Sequence, residues 1–180
     1  LIISGTLTNE SKLINKGLGG VNNDTGMQLE GSFVNNGSFT NESRFGMFEG
    51  SFVNNGTINN KSWLHCFGTE ITNNKTFNNT GDITLLNSSA VDAAYSSPGT
   101  FTNAAGATLL SEDPGGIIVR IDCSFTNAGT ATINGYFDSY GTLTNTGSFT
   151  YTGHLMTAGS VTGTLTKGTG GELETNITVE

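Results

Sequence analysis

Charge is the first thing this chain has little of. Only 12% of its residues are Asp, Glu, Lys or Arg, about half the share usual in soluble domains. Seven basic residues stand against fifteen acidic ones, for a formal charge of −8. They form no basic patch able to neutralise a phosphate backbone, which excludes nucleic acid as a partner. Anionic membrane surfaces are disfavoured on the same ground. Long apolar runs are missing as well. The longest, Leu1–Ile3 and Ile117–Val119, are far too short to cross a bilayer, so no membrane insertion is expected.

Cysteine is scarce. Cys66 and Cys123 sit in no CxxC and beside no spaced histidines, so the sequence offers no metal-ligand set, and neither metal nor cofactor is expected. Inert thiols are the expectation. Proline occurs twice. The chain opens "LIISGTLTNE", with neither an initiator Met nor a charged leader, which reads as a mature or excised segment. Gly, Asn, Thr and Ser fill the space left over. In random order that mixture describes a disordered tract, but eleven Phe recur at a regular step.

A Ser/Thr–apolar–Thr/Val–Asn quartet carries the repeat. It reads "TLTN" at 6–9, "SFVN" at 32–35 and 51–54, "TFTN" at 100–103, "SFTN" at 124–127 and "TLTN" at 142–145, with "EITN" at 70–73. Its short intervals are 18–19 residues, and within each period a bulky residue returns every six positions: Phe125, Ala131, Phe137, Leu143, Phe149, Leu155, Val161. Three steps of six make one turn of a three-sided coil. A small residue four places after many anchors, such as Gly56 or Gly147, is expected to point inward and leave the bulky residue room. The phased asparagines predict an amide ladder of Asn9, Asn35, Asn54, Asn73, Asn103, Asn127 and Asn145. Asn15, Asn41, Asn60 and Asn79 predict a shorter second one. Asparagine suits a corner because it tolerates left-handed backbone. The fold class is therefore all-β, a parallel β-helix (β-solenoid) with three short strands per 18–19-residue coil. It forms a single domain over 1–180, with eight or nine coils and a length of about 40 Å.

Longer intervals mark insertions near 19–28, 87–98 and 106–122, expected after the second hexad of their coils and hence along one edge. Loops on a rigid scaffold are where binding concentrates, which makes Asp92, Tyr95, Glu112, Asp113 and Arg120 the candidate binding residues. Host or environmental glycans are the candidate ligands. Arg120 with Glu112, Asp113 and Asp122 suggests a small acidic site, but no carboxylates are spaced for acid–base hydrolysis. His65 and Cys66 adjoin, so on a strand they point to opposite faces. No catalytic activity is expected. The outward Thr and Ser columns beside the anchors (Thr100 and Thr102, Thr142 and Thr144) offer the alternative of an ice-binding face, interrupted by Val34, Val53 and Glu70. Several asparagines, among them Asn9, Asn36, Asn55, Asn78 and Asn176, stand in glycosylation sequons, of which only those off the ladder leave room for a glycan.

The runs "GTLTNTGSFT" and "GSFVNNGTINN" resemble the repeats of filamentous-haemagglutinin-type and autotransporter-passenger adhesins. The resemblance covers nearly the whole chain. It implies a right-handed β-helical stalk exported to the cell surface. Strand-like sequence reaches both ends, so copies of the chain or adjoining repeats are the expected partners at the terminal strand edges. The three insertions, and the lack of a family secretion motif, are where the chain departs from that pattern.

Overall fold

A six-residue step becomes a strand of four and a corner of two. In "SFTNAGTATINGYFDSYG" the strands are Ser124–Asn127, Thr130–Ile133 and Tyr136–Ser139, each followed by a two-residue corner. The computed structural model describes residues 2–16, 26–87 and 97–175. Every pairing among their strands is parallel, and each strand pairs with its equivalent one coil away: Phe52 with Ile71, Phe101 with Phe125, Phe125 with Leu143. Eight coils stack this way. First-face and third-face strands form a 15-stranded sheet, joined through Met27–Asn35, and second-face strands form an 8-stranded one. The chain is a parallel β-solenoid.

Its interior is a column of aromatic rings. Phe33, Phe39, Phe45, Phe52, Phe77 and Phe101 are fully buried. Some rings meet edge to face, Phe33 with Phe39 at 5.0 Å and 78° and Phe125 with Phe137 at 5.0 Å and 86°, while Phe101 and Phe125 stack at 5.1 Å and 15°. Such pairs add about 0.5–1.5 kcal/mol each beyond their buried area.

Both asparagine ladders form. Each Nδ2 donates to the Oδ1 one coil on, from Asn9 to Asn35 (2.7 Å), Asn35 to Asn54 (2.7 Å), Asn54 to Asn73 (2.8 Å), Asn73 to Asn103 (2.8 Å), Asn103 to Asn127 (2.7 Å) and Asn127 to Asn145 (2.7 Å). The second runs Asn15, Asn41, Asn60, Asn79 and ends on the Ser111 hydroxyl. The reason for asparagine differs from the sequence expectation, since no ladder residue has positive φ. Each ends a strand with its amide turned inward. The second Nδ2 proton goes to a main-chain carbonyl, as from Asn54 to Thr76, and the oxygen can take an N–H such as that of Gly56. Asparagine is there because one planar amide satisfies main chain at a dry corner and a neighbour above it.

The corner glycines also answer to something else than room for a bulky residue. A Cβ on Gly147 would stand 2.1 Å from the Gly129 carbonyl oxygen, and one on Gly56 2.0 Å from that of Gly37. The preceding coil's backbone, not a phenyl ring, occupies that space.

The insertions do not share an edge. The segment containing 17–25 leaves after Asn15 and returns at Met27, the second corner; that containing 88–96 leaves after Leu86 and returns at Thr100, the third. Residues 17–25 and 88–96 themselves lie outside the described residues. The stretch 106–122 is not one insertion. Strands Thr108–Ser111 and Gly116–Val119 run through it, and all three corners of that coil hold four residues instead of two. Each closes on an i to i+3 bond: Ala107 N–H to Ala104 at 3.0 Å, Gly115 to Glu112 at 2.7 Å, Cys123 to Arg120 at 3.0 Å. Because every enlarged corner turns back on itself, the strands keep register.

Candidate functional site

Of the residues singled out from sequence, Asp92 and Tyr95 lie outside the described residues. Glu112 and Asp113 are exposed at a second corner, and Arg120 is exposed at a third corner with its guanidinium 5.7 Å from the Tyr140 ring centroid. The strand Gly116–Val119 stands between them, about 13 Å of extended chain. Only Asp122 shares Arg120's corner, so the expected acidic constellation is not assembled. Cys66 is buried while His65 on the same strand is outward and half-buried. Both cysteines are free; burial pushes the Cys66 thiol well above its ordinary range and raises that of Cys123.

The third face carries a different constellation on its outward side. Over the later coils it is ionic. The Tyr136 hydroxyl donates to Asp82 Oδ1 at 2.7 Å, and His154 lies between Asp138 (Nδ1 to Oδ1, 3.6 Å) and Glu174 (Nε2 to Oε2, 3.5 Å). Burial raises the Asp138 carboxyl, against the lowering effect of His154.

Over the second and third coils the same face is aromatic. Phe48 and Phe67 stack at 4.9 Å and 2°, Trp63 and His65 at 5.8 Å and 7°, and His65 meets Phe67 edge on. Trp63 remains 46% exposed. Glycine at position 46 lets the Phe48 ring lie back along its own strand, 3.2 Å from where a Cβ would stand. Burial, then the nearby Arg44 cation, holds the His65 imidazole below its ordinary value, so it is neutral at pH 7 and able both to donate and to accept.

Beside these rings, around the second corner, lies a groove of about 750 Å³. That is the size of a small-molecule site. Phe48, His65 and Phe67 line it with Gln28, Lys16 and Arg44, and its described lining contains two cations and no carboxylate. Lys61 continues the cationic edge, tied to Glu42 at 3.3 Å, which also reaches Lys16 at 4.0 Å. Charge is thus unevenly spread. Positions 1–75 hold five of the seven basic residues beside six acidic ones, whereas 76–180 hold two basic and nine acidic.

Compared with known proteins, the chain matches no family model, no curated protein and no solved structure. What it can do must be argued from its own surface. The third hexads held the signal in the sequence: Phe48 and Phe67 stand 19 apart, each three places after its inward anchor, where the first face has Asn55 and Asn74.

Proposed function

We propose that this solenoid is a non-catalytic structural segment of an exported cell-surface fibre or adhesin, continued at its ends by copies of itself or by further coils. The supporting observation is the openness of its terminal coils. Inward residues are sealed in the middle, with Phe33, Phe52 and Phe101 at 0% exposure, while Val161 and Leu173 in the last coil are 40% and 53% exposed. Leu7 and Leu13 in the first coil are only half-buried. A further coil on either end would cover them and pair the open strand edges, which otherwise template association.

Light scattering and negative-stain microscopy of the purified chain test the reading. Rods longer than one chain, growing with concentration, are expected; a monomer at all concentrations would overturn self-stacking. Labelling on the source cell should place the protein outside, and a cytoplasmic signal would overturn export. The ice-binding alternative ranks below. Its threonine column runs Thr72, Thr102, Thr126, Thr144, Thr162, but Val34 and Val53 replace it in two earlier coils.

A further inference from the structure

We infer that N-linked glycosylation and this fold exclude each other at Asn9, Asn41 and Asn60, so that the export proposed above runs by a route with no sequon-directed glycosyltransferase. The exclusion stands on the two amide ladders alone; only its bearing on export rests on that reading.

The chain is rich in Asn-X-Ser/Thr acceptors, and the fold sorts them into two kinds. Asn9-Glu10-Ser11, Asn41-Glu42-Ser43 and Asn60-Lys61-Ser62 place their asparagine in a ladder. Asn36-Gly37-Ser38, Asn55-Gly56-Thr57 and Asn74-Lys75-Thr76 place theirs on the outer side of the first corner. There each is exposed and donates to another surface side chain.

A glycan has no place on the first kind. Transfer breaks the C1–O bond between the sugar and a lipid diphosphate, forms an Nδ2–C1 bond and releases the diphosphate, with one amide proton lost to solvent. In the fold both protons of these amides are engaged. Asn41 gives one to Asn60 Oδ1 at 2.7 Å and the other to the Trp63 carbonyl at 3.2 Å. Asn9 gives its pair to Asn35 Oδ1 at 2.7 Å and the Ser38 carbonyl at 2.9 Å. Asn41 and Asn60 are 1% exposed and Asn9 is 7% exposed. A pyranose on any of them would have to lie between coils whose strands are about 4.8 Å apart, inside a close-packed interior. The side chain would have to leave the ladder, and its neighbours would lose a partner.

Chain order presents these amides to a transferase before the fold can hide them. Each donates forward in sequence: the acceptors of Asn41 and Asn60 lie 19 and 22 residues further on, and those of Asn9 lie 26 and 29. A chain emerging from its N-terminus at about 5–20 residues per second leaves each amide unpaired for about one to six seconds. A transferase at the exit site meets these sequons extended and open, before the coil that covers them exists.

Secretion of the full chain behind a cleavable leader from a glycosylating eukaryotic cell tests the inference, beside Ser11→Ala/Ser43→Ala/Ser62→Ala. That variant removes the three sequons and keeps every ladder asparagine, at exposed or half-buried serines. Made in bacterial cytoplasm, the two chains should share their dichroism and melting temperature. From the glycosylating cell the unaltered chain is expected at a yield at least fivefold lower than the variant. Glycopeptide mapping should find Asn9, Asn41 and Asn60 occupied only on retained, protease-sensitive chains, and blocking synthesis of the lipid-linked donor should remove the difference. Protease-resistant chains glycosylated at Asn41 or Asn60 would overturn the exclusion. Equal secretion with the ladder sequons unoccupied would show that folding outruns the transferase and would overturn the route, as would a deficit that persists under the donor block. If the variant folds poorly in bacteria, the unaltered chain with and without that block carries the same comparison. The fibre reading fails separately: a cytoplasmic label on the source cell would sink export and leave the exclusion standing, and a monomeric rod would sink self-stacking alone.

Discussion

Tyr136 reaches Asp82 by lying across a glycine. The two are 54 residues apart and two coils apart, and the residue between them in the column is Gly116. A Cβ at 116 would stand 2.2 Å from Cζ of the tyrosine ring, so the bond exists only because that position has no side chain. Removing the hydroxyl leaves a half-buried carboxylate short of a donor. Tyr136→Phe is expected to cost about 1.5–3 kcal/mol, the range for a hydrogen bond to a charged group. Gly116→Val, which ejects the whole ring, should cost at least as much. Urea denaturation of the three proteins checks both; indistinguishable midpoints would show that the bond contributes nothing.

The same bond sets a response to alkali. Burial, then the Asp82 carboxylate, raises the Tyr136 phenol well above its ordinary value. The folded chain keeps a proton that the unfolded chain gives up at pH about 10. Stability from this group is therefore whole below that pH and falls as pH rises beyond it. Tyrosinate absorbance should show one tyrosine ionising only as the dichroism collapses. In Tyr136→Phe that late component should be absent.

The ladder should be costly to interrupt. Asn54→Ala takes one bond each from the Asn35 amide, the Asn73 oxygen and the Thr76 carbonyl, all paired to Asn54 at 2.7–2.9 Å, although the Asn35 amide keeps the Thr57 carbonyl and the Asn73 oxygen keeps the Lys75 N–H. At about 0.5–1.5 kcal/mol for each bond lost, a loss of about 2–4 kcal/mol is expected, visible as a large drop in melting temperature. Asn36→Ala, on the exposed outer corner where its amide meets Glu10 and Asn55, should change stability by less than about 0.5 kcal/mol.

The enlarged coil makes a prediction by deletion. Its corners at 104–107, 112–115 and 120–123 each carry two residues more than the ordinary corner. Deleting Ala105 and Gly106 should convert the first into an ordinary corner, leaving Ala107 where other coils have Gly129 or Lys75. The chain should keep its β-sheet dichroism and a cooperative melt. Loss of either would mean that the turn closed by Ala104 and Ala107 is needed for register.

Much of this architecture could be read in advance, and the limits have physical causes. Phe125 and Leu143 stand in register and fully buried, as their spacing of eighteen required; Val161 keeps that register but is 40% exposed, because no further coil among the described residues covers it. Between Phe101 and Phe125 the step changes from six to eight. A search for sixes then sees a gap where Leu109 and Ile117 are ordinary inward anchors. The aromatic groove is hidden in the sequence for another reason. Which outward residues become neighbours depends on the pairing of coils, and Phe48 meets Phe67 only once strands Phe45–Phe48 and Leu64–Phe67 are aligned. Glu112, Asp113 and Arg120 stand close in sequence, but the strand Gly116–Val119 carries them to different corners.

One property of the amide column reaches beyond a single molecule. Every link gives its proton the same way, from Asn9 onward to Asn145, whose own Nδ2 ends on the Gly147 and Thr164 carbonyls. The two tips are therefore chemically unequal, and parallel strands make them unequal again. Two such objects cannot meet through like tips and close a symmetric pair by extending the column; any extension is heterologous and repeats without closure. An assembly grown along this axis carries an arrow, with one tip that differs from the other for whatever adds, caps or anchors it.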